Sequence, residues 1–146
     1  MGTDAIGQAV KDIIDLKMEC SNMQQDADME KLYNWYSWGL ESGHVIVDYK
    51  YGELQGFIEW VRLKEIPETR NDAVDSLSWE DNGYKPILYV GNCCIRDDGK
   101  KHLVMWKLVH MMREQNEGFE HVCWHEGDND KLVLWDNAKK MEGVKQ

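Results

Sequence analysis

The chain lacks a paired cysteine spacing, an excess of positive charge and a long apolar run, and each lack closes off a class of protein. Its four cysteines, Cys20, the adjacent Cys93 and Cys94, and Cys123, match neither a disulfide framework nor a Cys-x-x-Cys zinc pair. Reduced, buried thiols are the expectation. Seventeen Lys and Arg stand against 27 Asp and Glu, a net charge of −10. Binding to a nucleic-acid backbone draws on clustered basic residues that displace counterions, so nucleic acid is not an expected partner. An acidic chain suits basic proteins or amines, and acidity also serves solubility. No stretch approaches transmembrane length, and the N-terminus lacks the basic region, apolar core and cleavage site of a secretory leader. A cytoplasmic protein without membrane contact is therefore expected. Internal repeats and low-complexity segments are absent too.

What is present is a hydrophobic content of 42% with seven Trp in 146 residues, enough for a single domain over 1–146 with its own core. Thr3 is an N-cap candidate for a helix with Ile6, Val10, Ile13 and Ile14 on one face. After a polar break from Ser21, Asp28 can cap a second helix bearing Met29, Leu32, Tyr33, Tyr36 and Leu40, widened by Trp35 and Trp38 and closed by Gly43. From His44 the period becomes two, and a Tyr51-Gly52 turn makes the segment to Lys64 a β-hairpin. Glu65 to Lys85 reads as a long connection with a helical turn near Ala73 to Leu77, and Trp79 in it is either a lid residue or a packed anchor.

The organising stretch runs from Pro86 to Gly118. Ile87, Leu88, Tyr89, Val90, Cys93, Cys94 and Ile95 form a nearly continuous apolar run, expected of a strand covered on both faces. Asp97, Asp98 and Gly99 form a turn. From Lys100 the spacing is helical, with Leu103, Trp106 and His110 on one side, Val104, Leu108 and Met111 beside them, and Gly118 as the stop. A strand feeding a glycine turn and then a helix leaves backbone N–H groups at the helix start that can receive a phosphate.

The segment Arg96-Asp97-Asp98-Gly99-Lys100-Lys101 resembles a degenerate form of the [Q/R]-x-x-G-x-[G/A] loop of the GNAT-type acyl-CoA N-acyltransferases. Arg96 and Gly99 match it; Lys101 stands where the family has Gly or Ala. The following helix and the strand Phe119 to His125 fit the family order, while the family's first strand is missing, because Met1 to Cys20 reads as helix. The resemblance implies an α/β (α+β) fold: a mixed central sheet with a β-hairpin, a central strand, loop and helix, and flanking helices. It further implies transfer of an acyl group, acetyl by default, from acyl-CoA to an amine of a protein or small molecule. Small degenerate members occur among phage-encoded and accessory proteins, so an inactive, acidic protein-binding module is the alternative.

On that resemblance the coenzyme site comprises Arg96, Gly99, Lys100 and Lys101, with the Ile95 amide at the thioester carbonyl and Asn129 at the position of a coenzyme-contacting Asn. The family's thiolate-protonating Tyr would fall at Trp135, and indole is no general acid. The strand Ile87 to Ile95 lacks a carboxylate, which leaves Glu59, His125 and Glu126 as candidates for the catalytic acid and base. Pantetheine pairs with strand backbone, so the strands ending at Ile95 and His125 must part. Whether Lys131 to Trp135 is strand or helix stays open. A rival constellation is His121, Cys123 and His125, whose period of two aims all three along one strand face toward Cys93 or Cys94 as zinc ligands; packing explains the same pattern. A nucleophilic role for the Cys93-Cys94 pair has no surrounding motif and requires an exposed thiol.

Overall fold

The structure, a computed structural model, describes residues 3–20, 28–75, 85–96, 101–126 and 130–136. Its elements are α1 (Thr3–Cys20), α2 (Met29–Ser42), β1 (Val45–Lys50), β2 (Glu53–Leu63), α3 (Arg70–Asp75), β3 (Ile87–Ile95), α4 (Lys101–Gln115), β4 (His121–Glu126) and β5 (Lys131–Asp136). One sheet runs in the order β1-β2-β3-β4-β5. The chain divides into two compact units, 1–59 with 92–115 and 60–91 with 116–146, so β2 and β3 are each shared between them.

In the first unit, α1 and α2 form as their apolar spacing requires. Asp28 accepts from the Lys31 amide and Gly43 closes α2 at φ 81°, the left-handed geometry that glycine enters without strain. Val10, Ile13, Ile14 and Leu16 of α1 join Tyr36, Val45, Leu54, Phe57 and Cys94 in one core cluster, each large apolar side chain contributing about 1.5–3 kcal/mol by leaving water. The apolar face of α2 is narrower than its sequence implies. Tyr36 and Gly39 are buried, whereas Met29 and Tyr33 are exposed. Gly39 is required because a Cβ there would collide with the Val45 side chain.

The β1–β2 hairpin turns at Tyr51 and Gly52, both at positive φ, as a two-residue hairpin loop needs. Asp48 pairs with Gly56 and Tyr49 with Leu54, so Gln55 is an extra residue in β2. This bulge turns the Gln55 carbonyl to accept from the Arg96 amide at 2.8 Å. The alternation expected of β2 is overridden, for Leu54 through Val61 are all buried, Glu59 among them. In α4 the burial is also not where the spacing places it. Leu108 and Met112 are fully buried while Leu103, Met105 and Trp106 are exposed, so the Val104–Leu108–Met112 stripe is the inner one. The helix stops at Gln115, before Gly118, whose φ is nonetheless +72°.

In the second unit, Leu63, Ala73, Ile87, Leu88, Val122 and Cys123 are buried. The β3–β4 pairing is parallel and comprises Ile87↔His121, Leu88↔Val122 and Tyr89↔Cys123; β3 then runs on to Ile95. Contrary to a strand covered on both faces, β3 is buried at its ends and open at Gly91 and Cys93. The segment after β4 is a strand, antiparallel to it from His121↔Asp136 to Glu126↔Lys131. Arg62 fastens the approach to β3, donating to the Lys85 carbonyl through Nε at 2.9 Å and Nη2 at 2.6 Å, and to the Glu117 carbonyl through Nη1. Among the described residues no helix is long and apolar enough to cross a membrane.

Candidate functional site

Within the first unit the polar centre is Glu59. It sits in the buried run of β2 at 3% exposure, a position where a carboxylate persists only with hydrogen-bond partners. It has three. The Tyr36 hydroxyl donates to Oε1 at 2.8 Å, Asn92 Nδ2 donates to the same oxygen, and Trp35 Nε1 donates to Oε2. Lys17 Nζ donates in turn to the Tyr36 hydroxyl at 3.0 Å and lies 5.4 Å from its ring centroid. Burial, and then the Glu59 charge, push the Tyr36 phenol far above its ordinary value, so Tyr36 keeps its proton and remains a donor. A carboxylate offers about four acceptor positions, and three are filled. Trp35 packs on Trp38 with centroids 5.3 Å apart, and Trp38 stacks on His44 at 4.8 Å, so an aromatic series leads along the second helix to the carboxylate.

Sequence reasoning named Glu59 and missed the residues that hold it. A signal existed in each. Asn92 is a lone amide in an otherwise apolar strand, and Trp35-Tyr36 puts two polar-tipped aromatics side by side on an inward helix face.

Arg96 heads the expected phosphate loop, and its side chain is already engaged. Nε lies 3.0 Å from a Glu53 carboxylate oxygen and donates to the Leu54 carbonyl at 3.1 Å, while Nη1 lies 3.4 Å from Glu19. It thus ties the end of β3 to the bulged start of β2. Ile95 is buried. Lys101 opens α4. Gly99, Lys100 and Asn129, like Asp97, Asp98 and Trp79, lie outside the described residues.

The second unit holds a separate cluster around His125. Its Nε2 meets the Glu68 carbonyl at 2.9 Å, which can only accept, so Nε2 carries a proton, and Nδ1 is hydrogen-bonded with the Tyr89 hydroxyl at 2.7 Å. Burial raises the Tyr89 phenol to about 12. Arg70 Nη2 donates to the His125 carbonyl at 3.2 Å, and the Arg70 amide donates to Asp130 at 2.9 Å. Glu126, by contrast, is exposed and accepts from Trp124 Nε1 at 2.9 Å. The three candidate acid–base residues therefore belong to different surroundings, and only Glu59 has a spare acceptor position in a buried setting.

The zinc constellation does not form. His125 has both ring nitrogens engaged, and no group of three His, Cys, Asp or Glu capable of holding a metal occurs among the described residues. Nor are the thiols uniformly buried, since Cys20 and Cys93 are exposed and Cys94 and Cys123 buried, all four outside any disulfide.

No protein-family model matches the sequence, and no curated protein matches it significantly. Solved structures do match in shape. The loading GNATL domain of CurA from Lyngbya majuscula superposes with a TM-score of 0.59 at 11% identity, over 94% of this chain and 79% of that one. The diaminobutyrate acetyltransferase EctA from Paenibacillus lautus, in complex with its substrate and coenzyme A, gives 0.57 at 9% identity, over 95% and 69%. The GNAT-like decarboxylase GphF, in complex with isobutyryl-CoA, gives 0.61 at 14% identity, over 94% and 68%.

Proposed function

We propose that this chain, which has the GNAT fold, binds an acyl-CoA, acetyl-CoA by default, and transfers the acyl group to an amine. The observation that supports it most is the β3–β4 ladder, which ends at Tyr89↔Cys123 while β3 continues to Ile95. Within the second unit the peptide groups of Val90 and Gly91 are not paired with β4, and the amides of a pantetheine arm are the right chemistry to pair with them. Beyond that edge the chain passes through Arg96 and Gly99 to the first turn of α4, whose unpaired N–H groups suit a pyrophosphate. Lys100 and Lys101 supply the charge that Asp97 and Asp98 oppose.

In this reading Glu59 accepts the proton of the acceptor amine through its fourth acceptor position, directly or by way of one water. The neighbouring Trp35 and Trp38 rings favour a cation in the approach. His125 and Glu126 fit less well, the first because both nitrogens are committed and the second because it is solvated. No side chain is needed to protonate the departing sulfur, because a thiol of ordinary pKa, about 8.5, leaves as its thiolate near neutral pH. That removes the difficulty raised by Trp135.

Calorimetric titration with acetyl-CoA and CoA tests the proposal. Binding is expected for the unaltered protein, with loss in the Lys100→Glu, Lys101→Glu double variant and in Gly99→Pro while the far-ultraviolet circular dichroism is retained. Absence of binding by the unaltered protein refutes it. One observation favours the alternative, an acidic binding module without turnover: β5 pairs with β4 along its whole length, in the place where the resemblance puts a helix carrying the catalytic Tyr. A stoichiometric basic protein partner, together with no coenzyme binding, would establish that reading.

A further inference from the structure

Cys20 and the adjacent pair Cys93 and Cys94, far apart in sequence, meet at one end of the first unit. Cys20 is the last residue of α1 and Cys94 lies next to the end of β3. The Cys20 Sγ–H donates to the carbonyl of Ile95, the residue after Cys94, at 3.6 Å, and Cys20 and Cys93 are both near enough to act on the Cys94 thiol electrostatically. The two thiols differ in access. Cys20 is exposed, whereas Cys94 is 5% exposed and belongs to the core cluster with Ile13, Ile14 and Leu16. Lys17 stands one helical turn before Cys20 on α1, the spacing at which side chains are neighbours on a helix surface, and its positive charge also acts on Cys94.

We infer that Cys20 and Cys94 form a peroxide-sensitive thiol pair, with Cys20 the attacking and Cys94 the resolving residue, closing to a reversible disulfide that staples α1 to β3. The Cys20 sulfur, as its thiolate, attacks one oxygen of the peroxide and the O–O bond breaks. Cys20 becomes a sulfenic acid, and the departing hydroxide combines with the proton that the thiol released. The Cys94 sulfur then attacks the Cys20 sulfur, the S–OH bond breaks, and the second hydroxide takes the Cys94 proton. One peroxide is reduced to two waters as two thiols are oxidised to one disulfide. An exposed thiol beside a buried one is suited to this order, because the oxidant reaches only the first and the second is near the sulfur it must attack. Cys123, buried without a thiol neighbour in the second unit, takes no part.

The test is mass spectrometry of the reduced, full-length protein after brief exposure to hydrogen peroxide. The expected result is a loss of about 2 Da, a fall of two in the thiols titrated under denaturing conditions, and a proteolytic peptide pair linking Cys20 to Cys94 that dithiothreitol separates. In Cys94→Ala the linked pair is absent and a dimedone adduct accumulates on Cys20; in Cys20→Ser neither forms. The Cys20→Ser change falls at an exposed position and leaves the core intact, so that variant remains informative if the Cys94 substitution unfolds the protein. Oxygen addition at Cys20 without a linked peptide, or a link from Cys20 to Cys93 instead, overturns the inference. These readouts require no coenzyme, so they stand or fall independently of the acyltransferase reading.

Discussion

Replacing Glu59 by Gln exchanges one carboxylate oxygen for an NH2 group in a pocket where every partner already donates. If the amide oxygen takes the place of Oε1, Tyr36 and Asn92 keep their acceptor and the new NH2 faces the Trp35 N–H, donor against donor. If the amide is reversed, Trp35 is satisfied and Asn92 can flip to accept, but the Tyr36 hydroxyl, which already receives Lys17, loses the oxygen it donates to. Each orientation strands one buried donor, at a cost of about 1–3 kcal/mol. Urea unfolding should therefore show Glu59→Gln destabilised by that amount. Trp35→Phe added to Glu59→Gln should cost less than in the wild type by roughly 1 kcal/mol, because the two substitutions remove the same bond. A stability within about 0.5 kcal/mol of wild type, the range of ordinary surface changes, or a strictly additive pair, would refute the network as described. Turnover separates structure from chemistry. If Glu59 is the base, kcat/KM falls by a factor on the order of 10²–10⁴ while acetyl-CoA affinity is unchanged; a stability loss with full turnover assigns Glu59 to scaffolding alone.

Gly39→Ala should destabilise the first unit by about 1–3 kcal/mol, the usual cost of overpacking, since its Cβ meets Val45; Val45→Ala should restore most of the loss in a thermal melt, and a neutral single variant would contradict the close approach of α2 to β1. Tyr89→Phe leaves His125 Nδ1 without its 2.7 Å partner and should cost about 1–3 kcal/mol, read by urea unfolding; an unchanged midpoint would show that the pair does not form. Burial raises the Cys94 thiol to about 12 and the Cys123 thiol to about 11 from an ordinary value near 9. The folded chain then holds protons that the unfolded chain releases, so stability is fully present below about pH 9 and is lost as pH rises toward the folded values. Unfolding midpoints measured under reducing conditions between pH 8 and pH 11 should fall, less steeply in Cys123→Ala, and a midpoint that rises over that range would reverse the assignment.

The elements were legible in the sequence because their signals are local. Asp28 and Gly43 bracket α2, Tyr51-Gly52 sets the hairpin, and the change from a period of two to one of 3.6 between Ile95 and Leu103 marks the strand-to-helix crossover that carries the fold. Which face each element buries was less legible, because that depends on neighbours the local pattern does not see. Leu103 and Trp106 are apolar and lie outward; Gln55 and Glu59 are polar and lie inward. In β2 the bulge at Gln55 shifts the register and helices lie against both faces, Phe57 in the α1–α2 cluster and Gly56 beside Val104 of α4, so the alternation that defines a half-buried strand ceases to predict anything.

That same override bears on function. A polar residue forced inward by tertiary context must either be satisfied or be used, and Glu59 has three of its four acceptor positions filled, by groups from two other elements whose side chains have the right reach. A purely structural carboxylate on a buried strand is readily replaced by an apolar residue of similar volume, because removing the charge together with its donors is often neutral or stabilising. Retaining Glu59 means retaining Trp35, Tyr36 and Asn92 as donors and Lys17 behind Tyr36, a commitment that a hydrophobic side chain would make unnecessary. The arrangement keeps a carboxylate at a fixed point beside an aromatic series, with one acceptor position unfilled among the described residues. On the acyltransferase reading proposed above, a held carboxylate with room for one more donor is the feature that an incoming ammonium group would use, so Glu59 tests that reading more sharply than the degenerate phosphate loop does.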